Sequence, residues 1–124
     1  AILANNKAFE KVSEFLKPIH FADATHQKIF DVMSKLITKG HIADVITLKS
    51  YFEQEGSLTE VGGFPYLVKL ADSASPLTNV EYYAQFIYDK YLDFFLSLIR
   101  LHNAETHRPV GFFAISVYSI RQIF

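Results

Sequence analysis

Cysteine is absent from this chain of 124 residues. That excludes disulfides, thiolate zinc sites and a cysteine nucleophile, and it fits a reducing cytoplasm. An excess of charge is lacking too: twelve basic residues are scattered among thirteen acidic ones, for a formal net charge of -1. Holding phosphate takes clustered Lys and Arg, so DNA is expected to be reached only indirectly. No apolar run approaches the roughly 20 residues of a membrane-spanning helix, and the longest late one is "VGFFAISVYSI". The opening "AILANNKAFEKV" has no basic leader before its apolar residues, so it does not read as a signal peptide. The reading is a cytoplasmic chain with no membrane partner. With no initiator Met, it is expected to begin inside a larger protein, partway through a helix carrying Ile2 and Leu3.

What is present is apolar and helical in period. The hydrophobic fraction is 50%, which argues for a globular fold. In "NNKAFEKVSEFLKP", Phe9, Val12, Phe15 and Leu16 share a helix face, with Asn5 or Asn6 to cap it and Pro18 just past its end. In "DATHQKIFDVMSKLITKG", Asp23 is the expected N-cap and Gly40 the left-handed residue beyond the C-terminus. Ile29, Phe30, Met33, Leu36 and Ile37 form the stripe between them. "TLKSYFEQEG" repeats the pattern: Thr47 or Asp44 starts it, Leu48, Tyr51 and Phe52 point inward, and Gly56 stops it. "SLTEV" is expected to add one helical turn.

"VGGFPYLVKLADSASPLTNVEYY" is the densest punctuation in the chain. A phosphate loop needs Gly-x-x-x-x-Gly-Lys-Ser/Thr, and a dinucleotide loop needs Gly-x-Gly-x-x-Gly after a strand. Gly62 and Gly63 offer neither. They read as a reversal, with Pro65 in the first turn of the next helix and Tyr66, Leu67, Leu70 and Ala71 on its inner face.

The last long helix opens at Thr78 and Glu81, which have capping-box spacing, and is expected to run to about residue 103. Glu81, Gln85, Asp89, Asp93 and Ser97 make a polar stripe. Val80, Tyr83, Ile87, Tyr91, Phe94, Leu98 and Leu101 make an apolar seam. In "YLDFFLSLIRL" apolar residues point nearly all round, so either this domain or a partner chain must cover them. Tyr91, Phe94, Phe95, Leu98 and Ile99 are the candidate subunit interface. Beyond a break at Pro109 and Gly111, the final run reads equally as a strand or a short buried helix.

No catalytic, cofactor-binding or metal constellation stands out. No His-Glu-x-x-His or Gly-x-Ser-x-Gly motif occurs. His20, His26, His41, His102 and His107 read as solvated surface groups; His102, Glu105 and His107 are close in sequence but not on one helix face.

Several pieces in fixed order resemble the N-terminal domain of the bacterial replicative DNA helicase, the DnaB type: "AFEKVSEFLKPIHF", "HQKIFDVMSKLITKG", "DVITLKSYFEQEGSLTEVGGFPYLVKLADS" and "NVEYYAQFI". The resemblance fades from about Tyr91, and most of the family's first helix has no counterpart. The chain is thus expected to be truncated, with a divergent or frame-disturbed tail. The resemblance implies an all-α fold: a small orthogonal helical domain of about five to six short helices, then one long helix, the arm of a hairpin. It implies a globular head over 5–79, with the long helix and tail, a remnant of the dimerisation hairpin, over 80–124. It also implies an assembly and primase-docking module for DNA replication and primosome formation, with no enzymatic activity by itself. ATP and Mg are expected only in the full-length helicase. Implied partners are further copies of the chain (a dimer or a hexameric collar), primase and a helicase loader. The alternatives are the helicase-binding domain of primase or a non-functional helicase fragment.

Overall fold

The computed structural model describes residues 1–73, 79–100, 123 and 124. Among these the regular elements are all helical: α1 (Lys7–Val12), a 3₁₀ turn (Pro18–His20), α2 (Ala24–Thr38), α3 (Val45–Glu55), α4 (Gly63–Ser73) and α5 (Val80–Arg100). The all-α expectation holds, with four short helices and the 3₁₀ turn before the long α5.

Helices α1, α2, α3 and α5 start where a side chain takes an orphan N–H. Asp23 Oδ1 accepts from Thr25 N–H at 2.7 Å at the head of α2. Asp44, not Thr47, is the N-cap of α3: its Oδ1 accepts from the N–H groups of Ile46 and Thr47. Thr47 Oγ1 accepts from Asp44 N–H at 2.9 Å, which completes the reciprocal box. At α1, Asn5 Oδ1 takes Lys7 N–H. Asn6 does not cap with its side chain. Its amide instead donates to the carbonyls of Ile2 and Ala43 and accepts from Ala43 N–H, each at 2.8 Å, fastening the loop before α3 to the start of the chain. At α5 the described bond comes from Asn79, whose Oδ1 accepts from Tyr82 N–H at 3.2 Å. Thr78 lies outside the described residues, and Glu81 is exposed in the first turn of α5.

Helices α2 and α3 both close at glycine. Gly40 and Gly56 have positive φ, and the N–H just beyond each reaches back five residues, His41 to Leu36 and Ser57 to Phe52. "SLTEV" forms a hydrogen-bonded turn rather than a helix, and it closes the same way, with Gly63 N–H on Leu58 O. Gly62 is the most constrained position: φ is +96°, and a Cβ there would lie 3.0 Å from Cβ and Cγ of Tyr66. Backbone freedom and close approach to α4 both require glycine here.

One core joins these elements. Val12, Leu16, Ile29, Phe30, Met33, Leu48, Phe52, Leu67 and Leu70 are buried, as the helical spacing predicts, and Phe21, extended after the 3₁₀ turn, is buried with them. Helix α5 packs on α1 and on the 3₁₀ turn, contributing Val80, Ala84 and Ile87. Ile2 and Leu3 are also buried, but in a turn rather than in the expected helix. Their N–H groups donate to the carbonyls of Ile123 and Phe124, both at 3.1 Å. Phe124 is fully buried and stacks on Phe21 at 5.5 Å between ring centroids. The core therefore draws on both sides of residue 80. Leu101, His102, Glu105, His107, Pro109 and Gly111 lie outside the described residues.

Candidate protein-interaction site

Helix α5 changes character along its length. Its first half presents Val80, Ala84 and Ile87 to the core. Past Tyr91 the helix continues with little of the head against it. Leu92, Phe94, Phe95, Leu96 and Leu98 are all exposed; Phe94 keeps 55%, Phe95 50% and Leu98 48% of its accessible surface. These residues lie within two helical turns and wrap most of the way round the helix, an exposed apolar surface of the kind that marks protein–protein contact. The polar stripe flanks it: Glu81, Gln85, Asp89 and Asp93 are exposed, with Gln85 Nε2 donating to Asp89 Oδ1 at 3.0 Å.

Tyr91 lies at the boundary between the two halves. It is half-buried, its ring 4.8 Å from that of His20 and 6.4 Å from that of Phe95. His20 also meets Tyr88 edge-on at 4.8 Å, and Tyr88 meets Phe15 at 6.1 Å. A row of rings thus runs from the head to the exposed patch. His20 Nδ1 accepts Lys17 N–H at 3.0 Å, capping the start of the 3₁₀ turn, whose backbone bond runs from His20 N–H to Lys17 O. Burial, and secondarily the Lys17 ammonium, hold the His20 pKa below the usual imidazole value. Of the residues singled out in the sequence, Tyr91, Phe94, Phe95 and Leu98 are brought to this end of α5. Ile99 belongs to the same helix, but its side chain lies outside the described residues. His20, read in the sequence as a solvated surface group, is half-buried against two rings; Tyr88 was not singled out. The signal available was Tyr88, one turn before Leu92 and one residue after the buried Ile87.

His26 corrects the reading of the histidines as solvated. It is buried, 7% exposed, and its Nε2 lies 2.6 Å from the Tyr66 hydroxyl, linking α2 to α4. It stands three and four residues before Ile29 and Phe30, so it falls on the apolar stripe. A second apolar surface lies across α2 and α3: an open groove of about 590 Å³ lined by Leu36, Ile42, Ile46 and Tyr51, with Ile42 and Ile46 largely exposed. Among the described residues no group of His, Cys, Asp and Glu could hold a metal ion. None of the described helices is long and apolar enough to cross a membrane.

Comparison with known proteins agrees with this architecture. The family model for the DnaB-like helicase N terminal domain matches residues 1–89. The replicative DNA helicase DnaB of Rickettsia typhi is 43% identical over 89 residues, 72% of this chain but 18% of that protein. That of Geobacillus stearothermophilus is 37% identical over 90 residues, 73% of this chain and 20% of that protein. The chain thus spans about a fifth of the length of these relatives, and the matched part is their N-terminal domain, not an ATPase domain. The crystal structure of the N-terminal domain of DnaB helicase from Mycobacterium tuberculosis superposes with a TM-score of 0.71 at 25% identity, covering 96% of this chain and 87% of that one. The family match ends at residue 89, next to the point where the resemblance fades in the sequence. With that match over most of its length, the chain belongs to the DnaB-like helicase N-terminal domain family.

Proposed function

We propose that this chain is an assembly module of a replicative DNA helicase, acting by protein–protein contact in the cytoplasm, with the far half of α5 as its self-association face. The observation that carries the reading is the exposed row Leu92, Phe94, Phe95, Leu96 and Leu98 on a helix whose other half is locked into the head. Covering such a patch with a second copy removes apolar surface from water without disturbing the core. On this reading the chain is no enzyme by itself. ATP and Mg would act on a separate ATPase domain, DNA would be met only through that domain, and primase and a helicase loader would be protein partners.

Light scattering after size exclusion tests the assembly role. The expected result is an oligomer that the double substitution Phe94→Asp, Leu98→Asp converts to monomer. Central apolar anchors are worth ~2 kcal/mol each, so each change alone should weaken association by roughly thirtyfold. Circular dichroism of the double variant should retain the helical signal. A wild-type chain that stays monomeric and does not bind primase would remove the assembly role.

A further inference from the structure

We propose that His20 is a proton-sensitive wedge: as the neutral imidazole it holds the middle of α5 on the head, and as the imidazolium it loosens that hold. The docking of α5 stands on the geometry alone. Only its consequence for oligomers rests on the assembly reading above.

Three contacts meet at this one side chain. Nδ1 accepts Lys17 N–H at 3.0 Å, which places the proton of the neutral ring on Nε2. The ring lies 4.8 Å from Tyr88 and 4.8 Å from Tyr91, one helical turn apart on α5. Protonation at Nδ1 turns the acceptor into a second donor facing the Lys17 N–H. The Lys17 N–H then loses its acceptor, while the backbone bonds of the turn, His20 N–H to Lys17 O and Phe21 N–H to Pro18 O, remain; the ring must rotate away from the two tyrosines or leave an N–H opposed to an N–H.

A competing effect has the opposite sign, because an imidazolium against tyrosine faces gains cation–π attraction. The surroundings decide between the two. The charged group bearing on His20 from its own segment is the Lys17 ammonium, which repels an imidazolium. From α5 the titratable groups against it are the phenols of Tyr88 and Tyr91. The titratable side chains at the start of α2, which packs on the same turn, are engaged elsewhere: Asp23 with Thr25 N–H and His26 with Tyr66. Burial and Lys17 together lower the His20 pKa, so the neutral form is the one favoured when α5 is docked. Released from the head, the ring loses the burial that lowers its pKa, whereas Lys17, on the same segment, acts in both states. Docking is then strongest above the released value and weakens as pH falls toward the lower docked value.

The absence of cysteine makes site-specific labelling direct. Spin labels at Glu10→Cys on α1 and Asp89→Cys on α5, both exposed, report the separation of the two helices by pulsed electron paramagnetic resonance. The expected result is a narrow distance distribution at about pH 8 that broadens at about pH 5 while the helical circular dichroism persists. The same pair in a His20→Gln background, whose side-chain oxygen accepts a hydrogen bond without titrating, should stay narrow at both. A wild-type distribution that is unchanged with acid while the His20 ring titrates by nuclear magnetic resonance would overturn the proposal. So would equal broadening in His20→Gln, or a His20 pKa at or above the ordinary value, a measurement that needs no variant. Sedimentation at both pH values separates the two readings: a chain always monomeric, yet with acid broadening intact, sinks the assembly role and supports the wedge.

Discussion

Tyr66 is held from two sides. Its hydroxyl meets buried His26 at 2.6 Å, and its Cβ and ring back onto Gly62, where no side chain fits. Tyr66→Phe keeps the ring and removes only the hydroxyl partner of the imidazole. The expected loss is about 1 kcal/mol, the net worth of one buried hydrogen bond, read as a lower urea midpoint with an unchanged slope. Gly62 was legible in the sequence as a turn residue, from its neighbour Gly63 and the helix signals on either side. That its lack of a side chain also makes room for Tyr66 was not, because that contact depends on how α4 returns across the turn. His26 was misread as solvated because histidine usually is. Its place on the stripe of Ile29, Phe30 and Met33 was the better guide.

Element starts and stops were the most legible level. Asp23, Gly40 and Gly56 all act where local stereochemistry requires them, since a cap depends only on the residues next to it. The choice between Asp44 and Thr47 was less clear, because a reciprocal box uses both: the carboxylate takes two N–H groups, and the threonine hydroxyl answers Asp44 N–H. Asp44→Ala removes both N–H contacts and should cost about 0.5–2 kcal/mol, measured by thermal or urea unfolding. Thr47→Ala should cost less: its hydroxyl also makes two bonds, accepting from Asp44 N–H and donating to Asp44 O, but neither has the carboxylate's charge behind it. Asn6 shows where local reading fails. It has the residue type and the position of a cap, yet its amide is spent on Ala43, 37 residues away. The seam on α5 was legible as a period but not as two different surfaces. Only the position of α1 and the 3₁₀ turn determines that Ile87 is covered and Phe94 is not.

Across the whole molecule, the meeting of the two ends of the chain left no local trace in the sequence. Ile2 and Leu3 take their hydrogen-bond partners from Ile123 and Phe124, and Phe124 fills the space between Phe21, His26 and Phe30. Its ring is fully buried, so Phe124→Ala should cost about 3–5 kcal/mol. Chemical denaturation would show whether this destabilisation reaches the whole head, as a shared core requires.

The straight run of α5 from Ile87 to Phe94 has a geometric corollary. An α-helix turns about 100° and advances about 1.5 Å with each residue, so the azimuth of the aromatic patch is phased to the head by the number of residues between them. Adding one residue to that span would leave both surfaces intact and aim the patch a quarter-turn or more off its bearing.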